Sequence, residues 1–186
     1  MHTVFTAEDT ELQENPGMAI QSTSSAAHHS STAQRSDPIA AYGRRTPVTP
    51  DIVCTRRFEA SCDALFGAWV NPSILTKWLF KTTTSELHRA EFEPWEGGNW
   101  TVVDRREGEY FAATGQYLQI DRPHRLIFTF GMLQLSAEFV HVVVDIARAA
   151  AGSELTLTHE YLPWMGTRSP EKGWHAMFDM LARALR

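Results

Sequence analysis

Val140-His141-Val142-Val143-Val144-Asp145-Ile146 carries an aliphatic side chain at positions 140, 142, 144 and 146, the period of a β-strand with one face buried. Its neighbours follow the same period. Upstream, Leu126, Phe128 and Phe130 alternate; downstream, Leu155, Leu157 and His159 share one face. Turn residues punctuate the surrounding chain at Gly97-Gly98, Glu107-Gly108, Asp121-Arg122-Pro123 and Ala151-Gly152. From Thr84 to Leu162 these signals predict an antiparallel meander, with earlier strands over Glu86 to Phe92, Asn99 to Arg105 and Tyr110 to Ile120. Gly97-Gly98 is expected to form a tight hairpin, because glycine takes positive φ without a steric penalty.

The segments on either side of the meander read differently. Ile52 to Phe58, rich in β-branched residues, is expected as a first strand. Ser61 can cap a short helix with Asp63 in its first turn and Leu65, Ala68 and Trp69 on one face, ended by Asn71-Pro72. A second short helix starts at Pro72, with Ile74, Leu75 and Trp78 as its apolar stripe. At the far end, Ser169-Pro170-Glu171 announces a long helix on which Trp174, Met177, Phe178, Leu181 and Leu185 recur at helical spacing. Burying these side chains at roughly 1.5 to 3 kcal/mol each contributes on the order of 10 kcal/mol gross, the scale of a whole domain's stability. The last helix is therefore expected in the core, and its deletion is expected to unfold the protein.

The 186 residues are 43% apolar and 21% charged, which suits one globular domain and excludes full-length disorder or a fibrous build. With 17 Lys and Arg against 22 Asp and Glu, and no basic run, nucleic acid is not expected as a partner. The most apolar stretch, Phe139 to Ala151, is broken by His141, Asp145 and Arg148 and is shorter than the roughly 20 residues a bilayer needs, so no membrane partner is expected either. Glu8, Asp9, Glu11 and Glu14 occupy the first residues without an apolar segment, which argues against a secretory signal and for a cytoplasmic protein. Cys54 and Cys62 form no CxxC and are read as small buried side chains in a reducing compartment.

All six Trp lie beyond residue 50, whereas residues 22 to 36 read STSSAAHHSSTAQRS. Residues 1–50 lack the apolar content to offset ordering entropy of roughly 1 to 2 kcal/mol per residue and are expected to be a disordered polar tail. Met18 supplies a second possible start within it. Residues 51–186 form the expected folded domain.

Several local runs sharpen the identification. They are Phe58-Glu59-Ala60 before Leu65-Phe66-Gly67-Ala68-Trp69, Asn71-Pro72 before Trp78, Gly97-Gly98-Asn99-Trp100, Gly115-Gln116-Tyr117-Leu118-Gln119-Ile120, Pro123-His124-Arg125-Leu126-Ile127-Phe128-Thr129, Leu155-Thr156-Leu157-Thr158-His159 and Gly173-Trp174. In this order and spacing they resemble the activator of heat-shock-protein-90 ATPase homologue family, within the START-like (SRPBCC) superfamily. The resemblance covers about 51 to 186. It implies an α+β helix-grip fold, a curved antiparallel β-sheet wrapped around a long C-terminal α-helix with two short helices after the first strand. It also implies a cavity between sheet and C-terminal helix, used across the superfamily for apolar or aromatic small molecules. Function is thereby given as a class and not as one reaction.

Catalytic motifs are sparse. The sequence holds no GxSxG, HExxH, GxxxxGK[ST] or GxGxxG, so serine hydrolase, zincin and nucleotide-binding chemistry are not expected. His88, His124, His141, His159 and His175 show no short-range metal spacing, and neither metal nor cofactor is expected. Glu91 and Glu93 are read as solvated. His159 continues the inward row of Leu155 and Leu157, where it is either a hydrogen-bonded core histidine or a general base, with Tyr117 as the other candidate to move a proton. Trp69, Trp100, Trp174 and Phe178 are core residues and candidate cavity lining, to which Tyr117 and His159 add polar atoms. Trp164, with Met165, sits in the loop before the last helix and is either a core plug or a lid over the cavity. The expected function is a soluble START-like binding module for an apolar or aromatic small molecule. Its alternatives are a cyclase or dehydratase using the same cavity, and a chaperone-activator-like module that contacts a chaperone or client protein.

Overall fold

Seven strands make one antiparallel sheet in the computed structural model, which describes residues 51–132, 134–162 and 170–186. They are β1 (Ile52–Phe58), β2 (Glu86–Phe92), β3 (Asn99–Arg106), β4 (Glu109–Asp121), β5 (Arg125–Phe130), β6 (Val140–Arg148) and β7 (Ser153–His159), in the spatial order β1-β7-β6-β5-β4-β3-β2. From β2 onward each strand pairs with the next, as the alternating pattern predicts, and β1 joins the far edge beside β7. Between β1 and β2 run the helices α1 (Cys62–Val70) and α2 (Pro72–Leu75); α3 (Pro170–Ala184) ends the chain. The arrangement is the helix-grip fold. The expected tail over residues 1–50, the loop from Pro163 to Ser169 with Trp164 and Met165, and the Ser169 cap lie outside the described residues.

The sheet's inner face and the helices share one core. On α3, Trp174, Met177, Phe178 and Leu181 are buried, and Leu185 packs partly buried against them. Phe178 meets Phe58 of β1 edge-on at 6.2 Å. Ser61 accepts from the Ala64 N–H at 3.2 Å and so caps α1. Asn71 serves two helices. Its backbone N–H closes α1 on Gly67 O at 2.9 Å, while its side chain accepts from Ser73 N at 3.0 Å to open α2. No described helix is long and apolar enough to cross a membrane.

Two local expectations are corrected. The apolar stripe through Trp78 does not belong to one helix, because α2 ends at Leu75 and the chain turns to place Phe80 at φ 60°. Trp78 is buried all the same, donating its indole N–H to Ala68 O at 3.1 Å and meeting Trp69 at 4.6 Å. The β2–β3 connection is a loop from Glu93 to Gly98 and not a tight hairpin. It folds back onto β4: Gly97 N–H bonds Tyr117 O at 2.7 Å, and Tyr117 N–H bonds Gly98 O at 2.9 Å. The tight two-residue turn occurs at Glu107-Gly108, where φ values of 51° and 90° match the twist of adjoining strands.

Candidate functional site

Four inward side chains lie in one row across the sheet: His159 on β7 is opposite Val142 on β6, which is opposite Phe128 on β5, which is opposite Tyr117 on β4. All four are buried. Register places them on one face, since partners directly opposite in antiparallel strands project to the same side. The two polar ends of the row are three strand spacings apart, about 14 Å along the sheet. His159 and Tyr117 therefore share a wall without forming a proton-transferring pair.

His159 is held at one nitrogen. Its Nδ1 accepts from the Trp174 indole N–H at 3.0 Å, which puts the proton of the neutral ring on Nε2. Burial pushes its pKa down to about 4, so the ring is neutral near pH 7. Nε2 is buried without a partner. The ring meets Phe130 edge-on at 5.5 Å and Trp174 at 6.0 Å. Burial likewise raises the Tyr117 phenol above its ordinary value, so it is not a proton donor of convenient strength.

The predicted aromatic residues converge. Trp69 lies 6.1 Å from Phe128 and 6.3 Å from Trp174, and Trp174 lies 6.2 Å from Phe178. Trp100 is edge-on to Phe128 at 5.9 Å and stacked with Phe130 at 6.2 Å. Beside them is an interior void lined by Trp69, Leu75, Leu79, Trp100, Tyr117, Leu126 and Phe128. It leaves about 10 Å³, room for a single water molecule.

This void does not coincide with the expected cavity between sheet and C-terminal helix, whose expected lid, the loop from Pro163 to Ser169, lies outside the described residues. Its roof is Leu75 and Leu79, from α2 and the turn after it, and no α3 residue lines it. Along α3 the ring of Trp174 packs against Trp69 and His159, and that of Phe178 against Phe58. A wider concavity of about 700 Å³, bounded by Glu59 to Asp63, Pro123, His124 and Arg148 to Gly152, is open to solvent and contains none of the predicted site residues.

This architecture has relatives. Residues 59–186 match the family described as Activator of Hsp90 ATPase homolog 1-like protein. The chain belongs to that family. Among solved structures, an AHSA1-like protein from Aeromonas hydrophila is similar with TM-score 0.60 at 19% identity, over 73% of this chain and 91% of that one. A Rhodobacter sphaeroides protein gives TM-score 0.64 at 23% identity, over 75% and 95% of the two chains. A Nitrosomonas europaea protein gives 0.63 at 19% identity, over 75% and 96%. At these identities the likeness concerns the fold. No curated protein matches the chain.

Other residues of this AHSA1-like domain escaped sequence reasoning. Asp104 is 2% exposed and bonds Arg106 at 2.9 Å through Oδ2, leaving Oδ1 buried without a partner. Its signal was available, because Asp104 continues the inward alternation of Trp100 and Val102. Arg106 also donates to Phe80 O at 2.8 Å, and Phe80 N–H points to Met177 Sδ at 3.3 Å. Phe80 stacks on Phe130 at 5.1 Å with planes 2° apart. Nothing local in the sequence announces that contact.

The remaining titratable candidates are occupied structurally. Glu91 pairs with Arg89 at 2.7 Å, and Glu93 accepts from the Asn99 N–H at 2.9 Å. Glu160 accepts from His141 Nδ1 at 3.0 Å. Among the described residues, no three His, Cys, Asp or Glu come together as a metal cluster. Burial, reinforced by the Glu171 charge, pushes the Cys54 thiol up to about 11, which leaves it protonated; Cys62 is only half-buried, not enclosed as expected.

Proposed function

We propose that this domain binds a small apolar or aromatic molecule in the interior beneath α2 and the turn to Phe80. One observation carries the proposal: a void ringed by Trp69, Trp100, Tyr117 and Phe128 under a roof of two leucines. Binding pockets are mostly apolar with a few polar groups, which describes this lining, but they commonly occupy about 300 to 1,000 Å³. The void as it stands holds a single water, so an aromatic ligand enters only as the roof lifts.

The roof is built to move. α2 is a single turn, and Phe80, next to Leu79, sits in the left-handed region that costs a non-glycine residue roughly 1 kcal/mol or more. That conformation persists through the Arg106 bond to its carbonyl, the Met177 contact to its N–H and its stack on Phe130. Releasing the three together lets Leu75 and Leu79 swing outward and deepens the void. Binding is favoured over proton-transfer catalysis because His159 and Tyr117 stand far apart and His159 Nδ1 is already occupied.

Native mass spectrometry of the protein purified from its own host, followed by titration with monocyclic aromatics, tests the proposal. A retained organic adduct or saturable uptake supports it. A protein recovered free of adducts that takes up no aromatic at millimolar concentration overturns it.

A further inference from the structure

Asp104 and Arg106 stand two residues apart at the end of β3, on the same face, and make one hydrogen bond where their chemistry offers two. Arg106 donates from Nε to Asp104 Oδ2 at 2.9 Å, whereas Oδ1 is buried with no partner. A guanidinium presents Nε and the neighbouring Nη side by side, a fork that fits both oxygens of a carboxylate. Here the second arm of the fork is turned away, since Nη2 donates to Phe80 O at 2.8 Å. A buried carboxylate oxygen without a donor is costly, and native folds leave few such atoms.

The residue that receives the diverted bond carries a cost of its own. Phe80 sits at φ 60°, in the left-handed region that side chains other than glycine seldom adopt. Both costs belong to one contact: moving Nη2 from Phe80 O to Asp104 Oδ1 completes the fork and frees Phe80 to return to negative φ. Opposing the move are the stacks of Phe80 on Phe130 at 5.1 Å and on Trp100 at 6.1 Å, and its N–H contact with Met177 Sδ at 3.3 Å. Arg106 has room for it. Its side chain is 31% exposed, and its guanidinium rests 5.3 Å over the ring of Phe111, the residue opposite Asp104 on β4.

We infer that Arg106 is a two-position latch on the roof, closed with Nη2 on Phe80 O and open with Nη2 on Asp104 Oδ1. The inference rests on the moving roof proposed above and adds the group whose exchange of partners releases it. Arg106 keeps its bond to Oδ2 in both positions, so opening strands no buried charge. The two states set aromatic stacking against backbone strain and an unpaired carboxylate oxygen, effects of similar size.

Amide hydrogen exchange on the full chain without ligand reads the opening, because the Leu79 N–H is held by Leu75 O and the Phe80 N–H by Met177 Sδ in the closed roof. Asp104→Asn keeps an acceptor for Nε but puts an amide NH2 where Oδ1 stood, which removes the second bond of the open position. Exchange at Leu79 and Phe80 is expected to slow at least about fivefold, the scale of one net hydrogen bond. Arg106→Lys replaces the fork by a single, shorter-reaching ammonium that stays with the carboxylate and loses Phe80 O, so exchange there is expected to quicken by a similar factor. Opposite signs in the two variants separate a latch from a merely structural ion pair, whose loss quickens exchange in both. Unchanged or faster exchange in Asp104→Asn, or unchanged or slower exchange in Arg106→Lys, overturns the latch. The readout involves no ligand, so a protein that takes up no aromatic overturns the binding function by its own test and not by this one.

Discussion

The Trp174 indole N–H donates to His159 Nδ1 at 3.0 Å, joining α3 to the end of β7 through two side chains that are each 2% exposed. The bond secures the helix to the sheet and selects the histidine tautomer at once. Its acceptor must stay unprotonated, so the contact has a pH dependence of known sign.

In the unfolded chain His159 takes a proton below its ordinary value of 6.5, whereas in the fold it stays neutral down to about 4. Between those values the unfolded state binds more protons, so stability is full above 6.5 and falls as the pH drops toward 4. The window corresponds to about 3 kcal/mol at most. Urea unfolding of wild type and of His159→Asn, which keeps an acceptor but does not titrate, isolates this contribution. Wild type is expected to lose about 2 to 3 kcal/mol more than the variant between pH 7 and pH 4.5. Parallel losses would contradict it.

Gly115 faces Trp100 across β3 and β4. A Cβ there would collide with the Thr129 carbonyl oxygen and sit 2.7 Å from Trp100 Nε1. Gly115→Ala is therefore expected to cost about 3 kcal/mol, since a strand backbone must give way. Gly67, which has nothing within 4 Å of such an atom, is the control: Gly67→Ala within α1 should be neutral or stabilising by up to about 1 kcal/mol in thermal melts.

Removing Arg106 strands a buried carboxylate. Arg106→Met is expected to destabilise by about 3 kcal/mol or more, because Asp104 loses its partner at Oδ2 while Oδ1 is already unpaired. The double variant Asp104→Leu/Arg106→Met should recover much of that loss, as uncharged replacements of buried pairs do. A double variant no more stable than Arg106→Met in denaturant titrations would show that the arginine acts through Phe80 O instead.

The ion pair of Arg56 with Asp179 links β1 to α3 at 2.6 Å, with side-chain exposures of 29% and 62%. The hydrogen bond from Arg56 holds the Asp179 carboxyl below its ordinary range. Solvent screening keeps its energetic weight small, so Asp179→Asn should cost no more than about 1 kcal/mol, and less at high salt. A larger loss would mark this contact as a principal anchor of α3, a place otherwise taken by Trp174 and Phe178.

The elements and their order are written in local patterns of the chain. Alternation at Val140, Val142, Val144 and Ile146 is a property of one strand, and the Ser61 and Asn71 caps act within a few residues. Such short-range signals suffice to place a meander between two helical segments. They also mark Trp69, Trp100, Tyr117, His159, Trp174 and Phe178 as inward, because period alone decides which face a side chain takes. What those side chains meet depends on long-range packing. Periodicity carries no information on the separation of two residues across four strands, and register sets His159 and Tyr117 three strands apart. Nor does it reveal how much space the rings leave, which depends on packing to fractions of an ångström. The void lies under Leu75 and Leu79, next to a Phe80 that a distant arginine and methionine hold in a conformation its own sequence does not favour.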